Sequence, residues 1–429
     1  MDIVVIGAGI VGLASAWQLR QDGHRVTVLD RRGEVGHGAS HANGGQLSYR
    51  YVAPLADPDV LAKIPAWMLR ADAPVRFRPR FDPLQWRWLL DFLKACNGHD
   101  KLRSVASLLP LSLHSQSLIH ELVERHGLAF DHVRNGKLIV HRDANTFASA
   151  HRLLAASPEL ADEQQALDSD ACLALEPALA SLRGQIAGGI HTAGEEAGDC
   201  LKLCRELAAR LGEGSNPVRF AFGEEVSALQ VQSGRFVRVC TTGGALHADA
   251  CVMAGGVEAA ALLRPLGVEV PVYPVKGYSL SLPIRDARAV PATSVTDFQR
   301  KIVYARLGTQ LRVAGMADIV GHDERIAHDR VATLMRETRT LFGAGVDDTL
   351  ATPWAGLRPA TPTGRPIIGT SGIDGLWLNV GHGALGFTLA MGSAALLADR
   401  IAGRQPTVPD DEFALDRARP QGWRARRAA

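Results

Sequence analysis

Short apolar runs, each closed by glycine or an acid, punctuate the chain from its start. Ile3, Val4, Val5 and Ile6 form one run, glycines follow at 7, 9 and 12, and residues 26–29 form a second run ending in Asp30. Four consecutive apolar residues suit a strand buried on both faces, and the stretch between the runs has room for one helix. The pattern predicts strand, glycine turn, helix, strand. Residues 47–194 differ in character. They carry proline-marked segments, helical periodicity over 61–70, 84–95 and 104–127, a strand signal at 137–140, and a further helix over 160–175. Asp199 is placed to cap a helix running to about Arg210, with Leu201, Leu203, Leu207, Ala208 and Leu211 on its apolar face. A strand at 218–222 follows, then a three-stranded meander over 226–232, 236–241 and 245–248, joined by Ser233-Gly234 and Gly243-Gly244 turns. Residues 250–254 read as a buried strand ending at Gly255 and Gly256. Beyond Leu263 the pattern becomes antiparallel β with one helix near 325–342. A strand at 376–380, a glycine loop and a helix from about Thr388 to Ala402, stopped by Gly403, finish the pattern.

This order predicts an α/β chain, α+β when taken whole. A discontinuous Rossmann-like domain is expected from segments 1–46, 195–262 and 352–429. Segments 47–194 and 263–351 would build an inserted antiparallel-sheet domain that covers the ligand. No internal repeat is present.

Composition narrows the reading. The chain has 429 residues, 46% of them hydrophobic, and a formal net charge of +2, which gives no argument for nucleic acid as a partner. Six scattered cysteines form no CxxC pair, so reduced thiols in a cytoplasmic setting are expected, with neither zinc nor a disulfide framework. The histidines show no metal-ligand spacing, and no metal is assigned. The apolar N-terminus lacks a basic region and reads as the first strand, not a secretory signal. No run of 18 apolar residues suggests a membrane span. Two features suit peripheral contact with the inner face of a membrane: the aromatic, amphipathic stretch 84–94, and the basic tail with Arg417, Arg419, Arg424, Arg426 and Arg427. The competing reading is an internal helix and a solvated end.

The chemistry lies in the two glycine turns. Gly7 permits a sharp exit from the strand. Gly9 lets a pyrophosphate approach the backbone, and Gly12 lets the helix pack closely on the sheet. With Ile6, Ala8, Ile10 and Val11 around them, these glycines present a helix N-terminus to phosphate. Asp30, 18 residues beyond Gly12, can accept hydrogen bonds from an adenosine ribose. The second turn, Gly381-His382-Gly383-Ala384-Leu385-Gly386 with Phe387 and Thr388, has no use in a nicotinamide enzyme. A flavin needs such an element. Reduction places negative charge near N1 and C2=O, where a helix N-terminus stabilises it.

The chain resembles the FAD-dependent D-amino acid oxidase superfamily, and within it the bacterial D-amino acid dehydrogenase small subunits. The matching stretches are 7–12, Asp30-Arg31, 39–46, Gly198-Asp199-Cys200, 272–280, 312–316, 354–362 and 376–386. The resemblance implies FAD as cofactor, a D-amino acid or imino acid as substrate, and a quinone or respiratory acceptor, with oxygen the alternative. Hydroxyproline dehydrogenases share most of these motifs. Two readings from other classes stand beside it: a nicotinamide-dependent dehydrogenase, and a non-catalytic electron-transfer flavoprotein. Arg358, in Gly-Leu-Arg-Pro, is expected to bind the substrate carboxylate with two parallel hydrogen bonds. Tyr278 and Tyr304 are candidates for closing the pocket, with core packing the other reading of each. Tyr49 and Tyr51 are candidates for the substrate amine, or else surface tyrosines. His382 is a candidate for holding charge at the flavin edge, a conformational role being its alternative. Ser40, Asn43, Gly44, Gly45 and Gln46 resemble a loop that meets phosphate and flavin ring. Glu225 and Val226 resemble an adenine contact or are a plain strand start. Arg31, Gly255 and Gly356 complete the expected cofactor set.

Overall fold

The computed structural model describes residues 1–68, 70, 72–155 and 163–420. A six-stranded sheet is assembled from widely separated stretches of chain. Its order is Ile367–Thr370, Leu376–Val380, Ala250–Met253, Asp2–Ile6, Arg25–Asp30 and Arg219–Phe222. All neighbours run parallel except Ile367–Thr370, which pairs antiparallel with Leu376–Val380. The four residues of Ala250–Met253 are all buried, as an unbroken apolar run in a parallel sheet requires. Helix Ile10–Gln21 packs on this sheet beside Cys200–Leu211 and Gly386–Ala402. Asp199 caps the second of these, its carboxylate accepting from the backbone N–H of Lys202.

The other large sheet has nine strands. From one edge they are Thr352–Ala360, Tyr273–Pro283, Gln310–Ile319, Ile302–Leu307, Ser294–Asp297, Lys137–His141, Gly188–Thr192 and Gln164–Leu167, with Val75–Phe77 added on Gln310–Ile319. Helix His328–Phe342 covers one face. The meander appears as Val226–Gln232, Arg235–Thr241 and Gly244–His247. Gln46–Leu47 pairs with Glu196–Ala197 and ties the two halves together.

Several expectations change. Strand Thr352–Ala360, expected with the nucleotide-binding segments, pairs along its whole length with Tyr273–Pro283 in the nine-stranded sheet. Residues 164–167 form a strand instead of continuing a helix. Asp168 accepts the N–H of Ala171 and starts helix Ser169–Leu175 only there; residues 160–162 lie outside the described residues. Helix Ala144–Ala155 was not foreseen, and none of its side chains is buried. Arg419, read as part of a solvated basic tail, is buried 4.0 Å from Asp91 and 3.5 Å from Glu269. Arg424, Arg426 and Arg427 lie outside the described residues.

The stretch Gly383–Ala402 is long and apolar enough to cross a membrane by composition, yet most of it is buried inside the protein. Helix Gly386–Ala402 crosses Gly98–His126 closely: a Cβ added at Gly392 would lie 2.6 Å from the Leu111 carbonyl oxygen. Gly392→Val is therefore expected to force the helices apart at a cost of about 2 kcal/mol. Denaturant unfolding checks this; an unchanged midpoint would show that the crossing relaxes freely.

Candidate active site

Both glycine turns open on one cavity of about 930 Å³. Its nucleotide end is built by the backbone. Gly7 has φ of +107°, and a Cβ there would lie 2.6 Å from the Ala254 carbonyl oxygen. A Cβ at Gly12 would lie 1.8 Å from the Gly7 carbonyl oxygen, so only glycine lets the helix start this close to the turn. Asp30 sits at the end of its strand. One carboxylate oxygen accepts from Ala8 N at 2.8 Å and the other from Arg32 N at 2.9 Å. These two bonds fix the carboxylate at the cavity wall with acceptor capacity remaining. Ser40 Oγ accepts from Ile10 N at 3.1 Å and pins the loop to the helix start.

Of the expected cofactor residues, Ile6, Gly7, Gly9, Ile10, Val11, Asp30 and Arg31 line the cavity. So do Ser40, Asn43, Gly44, Gly45, Gln46, Glu225, Val226, Gly255 and Gly356, together with Gly381, His382, Gly383, Leu385, Gly386, Phe387 and Thr388. Ala8 and Gly12 stand behind the wall and shape the turn.

The middle of the wall is buttressed from the second sheet. Asn43 Oδ1 accepts from Gly45 N at 3.0 Å. Arg312, buried, donates to the Asn43 carbonyl at 2.8 Å and lies 3.3 Å from Asp199. Ser279 Oγ donates to the Ala42 carbonyl at 2.6 Å. At the far turn, Gly381 and Gly383 have φ of +83° and +54°. His382 is buried, with Nε2 3.0 Å from Ser393 Oγ. Burial pushes its pKa down to about 3, so the ring is neutral at ordinary pH. Any part His382 takes in holding charge at the flavin edge is then that of a neutral hydrogen-bonding ring.

Arg358 lies at the other end. Its strand pairs Val275 with Arg358 and Gly277 with Gly356, so these residues share one face. The guanidinium lies over Gly277: a Cβ there would be 2.3 Å from Nη2. Arg358 Nη1 donates to the Met316 carbonyl at 2.8 Å. Met316 has φ of +66°, a strained conformation for a residue with a side chain. No carboxylate among the described residues lies within ion-pair distance of Arg358; Asp318 acts on it only from farther away. A half-buried guanidinium without an acid at hand has the chemistry to receive one.

Tyr49 and Tyr304 do not line this cavity; Tyr278 does, but its hydroxyl is turned away from Arg358. Tyr278 alternates with Gly277, so its side chain points to the opposite face. There it is buried, and its hydroxyl donates to Asp318 at 3.0 Å beside Arg330. Tyr304 is buried against Phe342, ring centroids 5.0 Å apart, while its neighbour Val303 lines the cavity. Tyr49 is buried with its hydroxyl 3.5 Å from Glu196, outside the cavity lining. Tyr51 does line it. Its ring lies 4.6 Å beneath Lys137 Nζ, and burial lifts its hydroxyl pKa to about 12.

Sequence reasoning missed Lys137, Met316 and Arg312 as site residues. It also missed a cluster behind the loop, where His120 and His132 converge on buried Glu196, the latter at 2.7 Å. Arg134 Nε lies 3.8 Å from the same carboxylate. These groups come from separate segments, so no spacing rule exposes them.

The cavity fits a flavin dinucleotide: a helix start and carboxylate at one end, a second helix start at the other, and glycine where backbone must come close. That defines a two-sheet flavoprotein. The chain belongs to the FAD-dependent oxidoreductase family, whose profile matches residues 2–400. It is 50% identical over 429 residues to D-amino acid dehydrogenase 2 of Ralstonia nicotianae, covering 97% of this chain and 100% of that one. It is 42% identical to D-amino acid dehydrogenase of Cereibacter sphaeroides, covering 100% and 98%. Among solved structures it resembles glycine oxidase from Geobacillus kaustophilus, with a TM-score of 0.76 at 22% identity, covering 96% of this chain and 98% of that one.

For His382, the unfolded chain takes up a proton near pH 6.5 and the folded protein only near pH 3, so stability falls as pH drops through that window. His382→Gln should flatten the acid side of a Tm-versus-pH curve there. An acid limb unchanged by the substitution would assign the loss to other groups.

Proposed function

We propose that this protein oxidises D-amino acids to 2-oxo acids and ammonia. The observation that carries the reading is Arg358: a half-buried guanidinium with no acid within ion-pair distance among the described residues, in the same cavity as both glycine turns. The sheets divide the labour. Residues 1–46, 195–262 and those after Ala360 hold the dinucleotide, and the remaining strands carry the substrate groups.

Arg358 binds the substrate carboxylate and so orients Cα towards the ring end of the cavity. The Met316 carbonyl holds one side of the guanidinium, which leaves the other free for the ligand. Tyr51 and Met316 wall the pocket and exclude water around the reacting carbon. The turns at 7–12 and 381–388 would hold FAD, which would supply the hydride acceptor for Cα; the imino acid released would be hydrolysed by water to the 2-oxo acid and ammonia. The amine reacts in its neutral form, so the residues named act by alignment and charge placement.

Anaerobic bleaching of the flavin by a panel of D-amino acids and cis-4-hydroxy-D-proline tests this, and absence of bleaching by every amine would overturn it. Arg358→Ala should raise the concentration needed for half-maximal bleaching about a hundredfold or more, because two charge-assisted hydrogen bonds are lost. Tyr278→Phe should leave that concentration within about threefold, since its hydroxyl is committed to Asp318.

Electrons pass, in this reading, to a quinone at a membrane surface. The supporting feature is an apolar edge on and before helix Pro83–Ala95. Phe81 is fully exposed, Trp86 and Leu90 are exposed, and Arg78 and Arg80 lie alongside. Trp88 and Phe92 of the same helix face inward. Vesicles rich in anionic lipid should bind the protein, and the double substitution Phe81→Ser with Trp86→Ser should abolish that binding. Equal flotation of both proteins would remove this surface from the proposal.

A further inference from the structure

One buried cation in the cavity has no task in this scheme. Lys137 opens strand Lys137–His141 and lines the cavity, although it is among the buried residues. Its ammonium donates to Ser48 Oγ at 2.8 Å and sits 4.6 Å from the centre of the Tyr51 ring. No carboxylate among the described residues lies within ion-pair distance. Glu195 acts on it only from farther away. One oxygen of Glu195 accepts from Arg50 N at 2.7 Å, and the other, buried, finds no partner. Burial pulls the lysine pKa down to about 8. A desolvated ammonium held by one hydroxyl and one aromatic face is poorly compensated, and an anion arriving nearby would stabilise it.

The contacts of Ser48 say where that anion belongs. Ser48 accepts from Lys137 through its hydroxyl and donates through its backbone N–H to Thr388 Oγ1 at 3.1 Å. Thr388 stands in the first turn of helix Gly386–Ala402, whose N-terminus faces the cavity. Lys137 is thus two hydrogen bonds from the helix start that faces the flavin ring. The other groups suited to holding charge there are accounted for. His382 is neutral, and Arg358 is directed to the substrate.

We propose that Lys137, held by Ser48 and Tyr51, is the cation that balances the negative charge the bound flavin acquires on reduction. Together with the helix N-terminus it makes the oxidised cofactor a stronger electron acceptor. This rests on the flavin ring lying at residues 381–388 and does not depend on the identity of the substrate.

Sulfite adds to oxidised flavin and leaves negative charge on the ring, so its affinity reports the local field without turnover. The test compares the FAD-loaded natural protein with Lys137→Met and Lys137→Arg, measuring sulfite dissociation constants and midpoint potentials. Lys137→Met should retain FAD, bind sulfite at least about tenfold more weakly and have a lower potential. Lys137→Arg should return sulfite binding to within about threefold of the natural protein. If Lys137→Met fails to fold, Lys137→Gln keeps a donor for Ser48 without the charge and serves in its place. Sulfite affinity and potential unchanged in the neutral variant would overturn the proposal. So would a variant that only raises the substrate concentration needed, because the lysine would then be a substrate contact. Failure of the natural protein to bleach with any D-amino acid would count against the proposed reaction and leave the sulfite comparison intact.

Discussion

A dinucleotide as long as FAD must be gripped by backbone at two places that the chain reaches at opposite ends of its length. In a parallel sheet, strand ends that point the same way open on one edge, and ligands bind along that edge. Asp2–Ile6 and Leu376–Val380 flank Ala250–Met253 and run parallel to it. Their following turns, 7–12 and 381–386, therefore face the same cavity. Everything else in the site is arranged around that coincidence. The second sheet supplies a roof, and its contacts through Arg312 and Ser279 hold the connecting loop against the first.

Glycine does two different jobs along this path. At Gly12 the absent side chain lets a helix begin against the carbonyl of Gly7, which aims its free N–H groups into the cavity. At Gly277 the absent side chain makes room for the Arg358 guanidinium on the neighbouring strand. In the proposed reading the first would serve the cofactor's phosphates and the second a substrate carboxylate. A methyl group at either place would close the space its ligand requires.

The two glycine turns, the caps and most strands were legible in the sequence because each depends on a few neighbouring residues. Asp199 and Gly403 act within one turn of their own position. Partnership between strands was not legible. Thr352–Ala360 could join either sheet on local pattern, and only its pairing with Tyr273–Pro283 decides the matter. Parity left the tyrosines open between pocket and core. A strand offers alternate residues to opposite faces, so placing Tyr278 requires knowing which face Gly277 occupies. Spacing could not reveal that Lys137, Ser48 and Thr388 meet, because they lie on three separate segments.

The distribution of charge follows from burial more than from composition. The chain is nearly neutral, yet two cations, Arg358 and Lys137, line the cavity without an acid within ion-pair distance among the described residues. Several other buried charges are compensated: Arg330 is paired with Asp318, Arg312 lies beside Asp199, and Glu196 has two histidines. Unpaired cations in a cavity are where an arriving anion gains most. Met316 shows the same trade in the backbone. Its left-handed conformation is unfavourable by itself and places its carbonyl on Arg358. Strain and unpaired charge therefore fall in one cavity.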